Sequence, residues 1–260
     1  MISLQQSKSR KFNIGKRLET AAETAAVRLS SEKDEYPLCA VDVGTDHALL
    51  ALALVADYGF SAVTATDINE GPCSSAKKNI KAAGEFYEKR IKVMRTDGLS
   101  GLEDVCAQAQ RIIIAGMGGE LIRTILDGAD FVRSEKERIK FVLQPQSKQH
   151  VLRKYLFDNG YRILDESWIE DSGKTYCVIS AVYDGILRQS TLFERYFGLF
   201  GCPEKDDIFK KAVIKKYSVL KRNAECRAGK NTAGENSVFE EEKALLLELE
   251  RYMKERNITV

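Results

Sequence analysis

Between residues 38 and 145 short apolar runs alternate with helical patterns, and this alternation constrains the fold more than any other feature of the chain. Strand–helix alternation at this spacing predicts a parallel sheet with helices on both faces. Continuous apolar runs, such as the one at residues 111–115, suit strands that are buried on both sides. The predicted strands cover residues 38–43, 61–67, 90–95, 110–115 and 139–144.

The alternation of strands and helices stops after a helix predicted at residues 147–159. Two strand-like runs follow, at 161–171 and 174–184, and the turn at Ser172-Gly173 between them predicts an antiparallel hairpin. A parallel sheet that ends in such a hairpin is typical of the class I methyltransferase fold, whereas a dinucleotide-binding domain adds another parallel unit. We therefore predict an α/β, Rossmann-like domain of this type over residues 1–185.

Residues 186–260 carry only helical patterns, so we predict a second, C-terminal domain there. Two apolar stripes at helical spacing are separated by a loop rich in Gly, Asn and Ser. This arrangement predicts two antiparallel, coiled-coil-like helices whose stripes face each other. The first stripe comprises Phe209, Val213, Tyr217, Leu220 and Ala224, and the second comprises Phe239, Leu246, Leu249 and Met253.

The charges of this hairpin are sorted between its helices, although 40 Lys and Arg against 38 Asp and Glu leave the whole chain at only +2. Residues 208–230 hold eight bases and one acid, and residues 235–250 hold six acids and one base. The helices can pair with each other electrostatically, or the basic helix can be presented to phosphates, where each neutralised phosphate adds salt-dependent affinity. Under the second hypothesis the candidate RNA contacts are Lys210, Lys211, Lys215, Lys216, Lys221 and Arg222.

Composition disfavours several classes of protein. No apolar run approaches the ~20 residues that a membrane-spanning helix needs. The five bases among the first 17 residues are not followed by the apolar segment of a secretory signal. The six cysteines form no C-x-x-C pair and the chain has only two histidines, so neither a zinc site nor a disulfide framework is expected. We expect free thiols in a reducing cytoplasm, with no metal and no membrane partner.

Candidate ligand-binding residues lie where the predicted strands end, because an open parallel sheet binds ligands beyond the carboxyl ends of its strands. The first strand leads into Asp42, Gly44 and Thr45, followed by Asp46 and His47. The glycine lets the backbone approach a ligand. However, the dinucleotide pattern G-x-G-x-x-G is absent, and Asp46 would repel a pyrophosphate. These residues argue against NAD or FAD and leave room for a cationic ligand.

The next strand ends carry residues suited to an adenosine. Asp67, with Ile68 and Asn69 after it, can accept hydrogen bonds from both ribose hydroxyls, or it can simply cap the next helix. Asp97 and Gly98 follow the third strand, where the carboxylate can accept from an adenine amino group. Together with the loop after the first strand and the glycine-rich loop after the fourth strand, these two loops predict binding of S-adenosylmethionine.

The fourth strand is followed by a segment in which three glycines leave the backbone open for close contact. We assign its first part to the cofactor and its second part to the substrate. The cofactor residues are Ala115, Gly116 and Met117, and the substrate residues are Gly118 and Gly119.

The strings DVGTDHA, DINEGP, TDGL, IAGMGGELI and LQPQ, with Lys16-Arg17-Leu18 upstream, resemble the bacterial tRNA (adenine(22)-N(1))-methyltransferase family over residues 12–183. The resemblance implies a class I methyltransferase domain and a C-terminal coiled-coil-like helical domain. It also implies transfer of a methyl group from S-adenosylmethionine to N1 of an adenine in the tRNA D-arm. The C-terminal hairpin departs from the family in its longer polar loop and its poor sequence match.

Adenine N1 carries a free lone pair at neutral pH, so methylation needs in-line positioning and stabilisation of developing positive charge rather than a strong base. Asp46 is the candidate catalytic residue, orienting the exocyclic amine or offsetting that charge; alternatively it holds the cofactor's amino group. Arg17, Gln144 and Pro145 are expected on the substrate side, whereas His150 is expected to be structural. Trp168 is expected in the core rather than as a base-stacking platform.

Other functions stay open at this point. The chain can be a methyltransferase that acts on another RNA or on a small molecule, or a non-catalytic RNA-binding module on a Rossmann-like core. The presence of Asp42, Asp67 and Asp97 disfavours the non-catalytic alternative. We expect a cytoplasmic monomer or weak dimer.

Overall fold

The computed structural model describes residues 10–32, 37–199, 207–228 and 237–259. Its helices and strands follow one another as α1 (Gly15–Ala26), β1 (Leu38–Val43), α2 (Leu49–Asp57), β2 (Phe60–Asp67), α3 (Glu70–Ala83), α4 (Glu85–Glu88), β3 (Ile91–Arg95), α5 (Glu103–Gln108), β4 (Arg111–Gly118), α6 (Gly119–Asp127), β5 (Lys140–Ser147), α7 (Gln149–Asp158), β6 (Tyr161–Asp171), β7 (Lys174–Tyr183), α8 (Leu192–Phe197), α9 (Asp207–Ala228) and α10 (Ser237–Glu255). A 3₁₀ turn (Asp130–Ser134) precedes β5.

The strands form one seven-stranded sheet in the order β3-β2-β1-β4-β5-β7-β6. Strands β1 to β5 are parallel, and β7 pairs antiparallel with both β5 and β6. The predicted parallel sheet with a terminal antiparallel hairpin is therefore confirmed. The order reverses between β1 and β4, which is where an open sheet of this kind leaves a crevice for a ligand.

Helices cover both faces of the sheet, as the continuous apolar runs predict. The consecutive residues Ile112, Ile113 and Ile114 of β4 are all fully buried. Ile113 belongs to the apolar cluster that includes α1 to α4, and its two neighbours belong to the cluster that includes α5, α6 and α7. Successive side chains of a strand point to opposite faces, so β4 lies at the centre of a three-layer sandwich.

The carboxyl end of α1 is fastened to the sheet by two buried bases. Arg111 donates from Nε to Ala25 O at 2.7 Å and from its other nitrogens to the Glu32 carboxylate. Lys140 Nζ donates to Thr24 O at 2.7 Å. Burial, followed by repulsion from Arg111, lowers the pKa of Lys140 to about 8. The two bases satisfy carbonyls that the last turn of any helix leaves without an internal partner.

Helices α8, α9 and α10 share a separate apolar cluster. It contains the predicted Phe209, Val213, Leu220, Leu249 and Met253. In α10 Leu245 is buried along with the predicted Leu249, whereas the predicted Leu246 is only partly buried. The polar loop predicted between the two long helices lies outside the described residues. Trp168 of β6 meets Phe209 edge-on at 5.6 Å and joins this cluster to the sheet.

A buried ion pair also connects the sheet to α8. Arg153 of α7 donates from Nε to Glu166 Oε1 of β6 at 2.6 Å, and its Nη1 donates to the carbonyls of Arg195 and Tyr196. Leu199 N donates to Glu166 Oε2 at 2.8 Å. A Cβ at Gly198 would lie 1.8 Å from Glu166 Oε2, so only glycine allows this approach.

Several boundaries at the ligand end of the sheet differ from the predictions. Strand β5 continues to Ser147 instead of ending at 144, so α7 begins at Gln149 rather than at 147. Helix α2 begins only at Leu49, because His47 and Ala48 adopt left-handed φ angles of 59° and 58°. Strand β4 continues to Gly118 instead of ending at 115, with register shifts around Met117 that leave Gly116 outside the pairing with β5. No helix within the described ranges is long and apolar enough to cross a membrane. The same residues contain no cluster of side chains that could hold a metal ion.

Candidate active site

A cavity of about 240 Å³ opens at the carboxyl ends of β1, β4 and β5, beside the crevice where the strand order reverses. Most of its wall comes from residues that the sequence singles out, and α1 and α2 complete it. The lining residues are Arg17, Leu18, Asp42, Gly44, Thr45, Asp46, Leu50, Ala115, Gly116, Gln144 and Gln146.

The turn after β1 forms one wall of the cavity. The amides of Gly44 and Thr45 both donate to Thr66 O of β2, at 2.8 and 2.7 Å, which bends the chain sharply away from the sheet. Gly44 has a φ of 78°, a conformation that side chains disfavour. A Cβ there would also lie 1.9 Å from the terminal methyl of Met117. Met117 therefore lies against the glycine turn.

Asp42 lies at the base of this turn with an unsatisfied carboxylate. The residue is 4% exposed, and its Oδ2, like Thr45 Oγ1, has no hydrogen-bond partner among the described residues. Burial raises the pKa of Asp42 to about 6, and the neighbouring Thr45 side chain acts in the opposite direction. Buried polar atoms are nearly always bonded in folded proteins, so two orphaned oxygens in one cavity indicate a site prepared for a donor.

Asp46 and His47 lie at the rim. Their side chains are 83% and 53% exposed, and His47 Nε2 lies 3.2 Å from Asp46 Oδ1. Asp46 lines the cavity, whereas His47 does not. Asn79 Nδ2 donates to His47 O at 3.0 Å, which anchors the backbone at the left-handed His47, next to Asp46. The two candidate residues Asp46 and His47 are therefore in contact with each other, and of the two only Asp46 lines the cavity.

The residues predicted for an adenosine follow β2 and β3 at the same edge of the sheet, outside the lining of the cavity. Asp67 Oδ1 accepts from Asn69 N at 2.8 Å, so the carboxylate folds over its own turn and α3 begins at Glu70. Arg95 Nε donates to Ile68 O at 2.9 Å. Asp97 and Gly98 occupy the loop after β3, where Gly98 has a φ of 56°.

The ends of β4 and β5 are tied together by a buried amide. Gln144 is 1% exposed, and its Oε1 accepts from Gly116 N at 3.1 Å. Pro145 is buried opposite Met117. Of the predicted residues in this region, Ala115, Gly116 and Gln144 line the cavity, whereas Met117, Gly118, Gly119 and Pro145 do not.

Arg17 reaches the cavity from α1. Its Nε donates to Asp171 Oδ2 at 2.9 Å, and its guanidinium carbon lies 4.9 Å from the centre of the Tyr176 ring. Both partners belong to the β6–β7 hairpin, so this contact closes α1 over the end of the sheet. Three lining residues, Leu18, Leu50 and Gln146, were not predicted from the sequence, although Lys16-Arg17-Leu18 and LQPQ contain the first and the last of them.

The predicted basic residues of α9 have different surroundings. Lys211 pairs with Glu170 of β6 at 2.8 Å, and Lys221 Nζ lies 5.8 Å from the centre of the Tyr217 ring. Lys210 is half-buried and Arg222 is exposed. Lys215 and Lys216 line a second cleft. Burial lowers the pKa of Lys216, and the negative charges of Glu242 and Glu241 of α10 partly offset that effect. Both hypotheses for the sorted charge thus have residues that suit them.

Comparisons with known proteins point in one direction. A family described as a methyltransferase domain matches residues 25–179. The chain is 34% identical to the tRNA (adenine(22)-N(1))-methyltransferase of Bacillus subtilis over 193 residues, which cover 71% of this chain and 77% of that protein.

Two solved structures extend the likeness to nearly the whole chain. The crystal structure of the B. subtilis m1A22 tRNA methyltransferase has a TM-score of 0.69 at 25% identity, covering 94% of this chain and 97% of that one. A Streptococcus pneumoniae protein crystallised with S-adenosyl-L-methionine has a TM-score of 0.72 at 28% identity, with coverages of 94% and 99%. The likeness therefore includes the C-terminal helices as well as the sheet.

Proposed function

This chain belongs to the tRNA (adenine(22)-N(1))-methyltransferase family, and we propose that it transfers a methyl group from S-adenosylmethionine to N1 of adenine 22 in tRNA. The observation that carries the proposal is the cavity at the ends of β1 and β4, where a glycine turn lies beside the orphaned carboxylate of Asp42.

The residues present fit S-adenosylmethionine. Asp42 Oδ2 and Thr45 Oγ1 offer unsatisfied acceptors in the cavity, which suit the cationic amino acid part of the molecule. Gly44 and Gly116 leave the backbone accessible next to them. Asp67 with Ile68 and Asn69 would hold the ribose, and Asp97 with Gly98 would hold the adenine. Ala115 and Met117 complete the proposed cofactor site, and His47 would contribute from the rim.

The target adenine would enter from the rim beside Asp46. The bound cofactor supplies an electrophilic methyl carbon on a sulfonium, so the lone pair of adenine N1 can attack without a strong base. Asp46, which is exposed at the mouth, would orient the exocyclic amine and offset the positive charge that develops on the purine. Arg17 and Gln144 would line the path of the base, backed by Pro145, Gly118 and Gly119.

The two parts of the chain would divide the work. Residues 1–185 would bind the cofactor and perform the transfer, and residues 186–260 would contact the tRNA through the basic residues of α9, namely Lys210, Lys211, Lys215, Lys216, Lys221 and Arg222. The cysteines in the described ranges are free thiols, which supports a cytoplasmic location. Among the described residues, the large exposed apolar side chains lie on separate elements except for the neighbours Ile186 and Leu187, which supports a monomer or weak dimer.

Methylation assays on two tRNA transcripts test the proposal. A transcript with adenine at position 22 is expected to become methylated at N1, as detected by mass spectrometry of its nucleosides, whereas a transcript with guanine there is not. Equal incorporation into both would overturn the position, and N1-methylation of a different RNA alone would support another substrate.

Asp46→Asn tests the catalytic role. We expect kcat to fall about 10- to 1,000-fold, because a charge aimed at the transition state is removed, while the affinity for S-adenosylmethionine measured by calorimetry stays unchanged. Asp104→Asn, an exposed acid on α5, is the matched control and is expected to alter neither quantity. If Asp46→Asn weakens cofactor binding as strongly as it lowers kcat, Asp46 holds the cofactor instead.

A further inference from the structure

A second cleft, of about 340 Å³, lies between the first turn of α7, the β6–β7 hairpin and helices α8 and α9. It therefore sits where the sheet meets the C-terminal helices. Its walls combine aromatic rings, contributed by His150, Trp168 and Tyr196, with the basic side chains of Lys148, Lys215 and Lys216. None of the described residues that line it is acidic.

The aromatic wall is flat and uncharged. The rings of His150 and Tyr196 are stacked, with centroids 4.3 Å apart and planes only 3° from parallel. Burial, together with the nearby Lys216, lowers the pKa of His150 below its ordinary value of 6.5, so the imidazole is neutral at pH 7. Such a pair offers a platform against which a nucleobase can stack.

The basic rim has one lysine better placed than the others for an incoming phosphate. Lys148 pairs with Glu120 at 2.7 Å. Lys216 Nζ lies 4.6 Å from the centre of the Tyr196 ring, and the negative charges of Glu242 and Glu241 of α10 stabilise its positive charge. Lys215 is exposed at the rim. The cleft thus joins an aromatic wall to a cation, the combination that single-stranded nucleic acid selects.

The cleft is also next to the candidate active site. Gln146 lines the catalytic cavity and Lys148 lines the cleft, so the two sites are joined by the end of β5. Only Ser147 lies between Gln146 and Lys148, so their Cα atoms are at most about 7.6 Å apart. A nucleotide that follows or precedes a base held in the cavity can therefore reach the cleft.

We propose that this cleft binds a nucleotide directly adjacent to the methylated adenine, with its base against the His150–Tyr196 platform and its phosphate at Lys215. The proposal rests on the proposed function, because it places the neighbour of that same adenine. The cleft positions the substrate: it fixes the strand on one side of the target, so that the adenine enters the cavity in register.

Transcripts with an abasic residue on either side of adenine 22 test the base contact. For the unmodified protein, removing the correct neighbouring base is expected to raise KM at least about fivefold, since stacking on an aromatic side chain contributes that much or more, with little change in kcat. In His150→Ala the KM for the intact transcript is expected to be raised already, and the abasic residue should add nothing further.

The phosphate contact is tested separately by Lys215→Ala, an exposed position where the substitution leaves the fold intact. We expect weaker tRNA binding and a slope of log Kd against log salt that is smaller by about one. Lys254→Ala, an exposed lysine of α10 outside the cleft, is the matched control and should leave that slope unchanged.

The outcomes separate the two proposals. If the unmodified protein methylates tRNA while neither abasic transcript nor His150→Ala changes KM, and Lys215→Ala leaves tRNA binding and its salt slope unchanged, the cleft proposal is wrong and the proposed function stands. If N1-methylation of tRNA is absent altogether, the proposed function fails, and tRNA binding by Lys215→Ala still reports whether the cleft contacts RNA.

Discussion

Two buried carboxylates of the same sheet differ in whether their oxygens have hydrogen-bond partners. Glu166 on β6 and Asp42 on β1 are only 7% and 4% exposed. Glu166 accepts hydrogen bonds from Arg153 and from the amide of Leu199, whereas Asp42 Oδ2 has no partner among the described residues. Burying a charge is costly unless it is paired and bonded, so the first carboxylate is a completed contact and the second is an incomplete one.

The difference separates a group that maintains the fold from a group that is prepared for a ligand. The Glu166 pair links α7, β6 and α8, and it leaves no room for another molecule. Asp42 faces a cavity, and its pKa of about 6 shows how poorly its surroundings satisfy the charged form. A cationic ligand would supply for Asp42 what Arg153 already supplies for Glu166.

The largest effect is expected from breaking the completed pair. Glu166→Gln leaves the buried guanidinium of Arg153 without its counter-charge, so we expect the free energy of unfolding to fall by about 3–5 kcal/mol. Urea denaturation followed by circular dichroism measures this loss. The double variant Arg153→Met, Glu166→Leu removes both charges and is expected to lose less than Glu166→Gln; a larger loss than that of Glu166→Gln would show that the charges do not act as a pair.

A smaller effect, on binding rather than folding, is expected at the incomplete site. Asp42→Asn should weaken the affinity for S-adenosylmethionine about 10- to 100-fold, because a charge-assisted hydrogen bond is lost, and should leave the unfolding midpoint unchanged or higher. Titration calorimetry and urea denaturation measure the two quantities. A variant that binds normally but unfolds readily would make Asp42 a structural residue like Glu166.

The smallest effect is a pH dependence that the completed pair should lack. Since the pKa of Asp42 is about 6, its carboxylate is charged above that pH, and affinity for a cationic cofactor should rise with pH by at most about tenfold per unit up to 6 and then level off. Calorimetry between pH 5 and 8 would follow this rise, and Asp42→Asn should flatten it.

The raised pKa of Asp42 makes the stability of the ligand-free protein fall with rising pH, whereas it makes cofactor affinity rise. The pKa of Asp42 is raised from its ordinary value of 3.8, so its contribution to folding is fully present below 3.8 and is lost as the pH rises through 6. Unfolding experiments without cofactor should therefore show a relative gain for Asp42→Asn above pH 6. If the free energy of unfolding changes with pH equally in the unmodified protein and in Asp42→Asn, the pKa of Asp42 is not raised.

The sheet was predictable because its signals are local. Strands β1 and β6 begin and end where the sequence predicts, since apolar runs and turn residues bound them. The end of β4 was predicted too early, because its glycines suggest a loop while Met117 and Gly118 still pair irregularly with β5. Helix α8 carries a capping box between Thr191 and Glu194, but six residues were too few for a periodic pattern.

The candidate site was predictable as far as strand ends determine it. Asp42, Gly44 and Gly116 meet in one cavity because parallel strands bring their carboxyl ends to one edge. The role of α1 was not predictable in detail. The contact of Arg17 with Asp171 joins residues 154 positions apart, and no local pattern encodes such a pairing.

That contact also orders events during synthesis. Arg111 and Lys140 bond α1 from 86 and 116 residues downstream, and Asp171 follows Arg17 by 154. At about 5–20 residues per second, Asp171 is added roughly 8–30 s after Arg17. Closing such long loops is unfavourable until the sheet offers its contacts. Helix α1 is thus translated before the strands that it packs against but docks late, and the cavity of a nascent chain lacks the docked Arg17 until the β6–β7 hairpin has emerged.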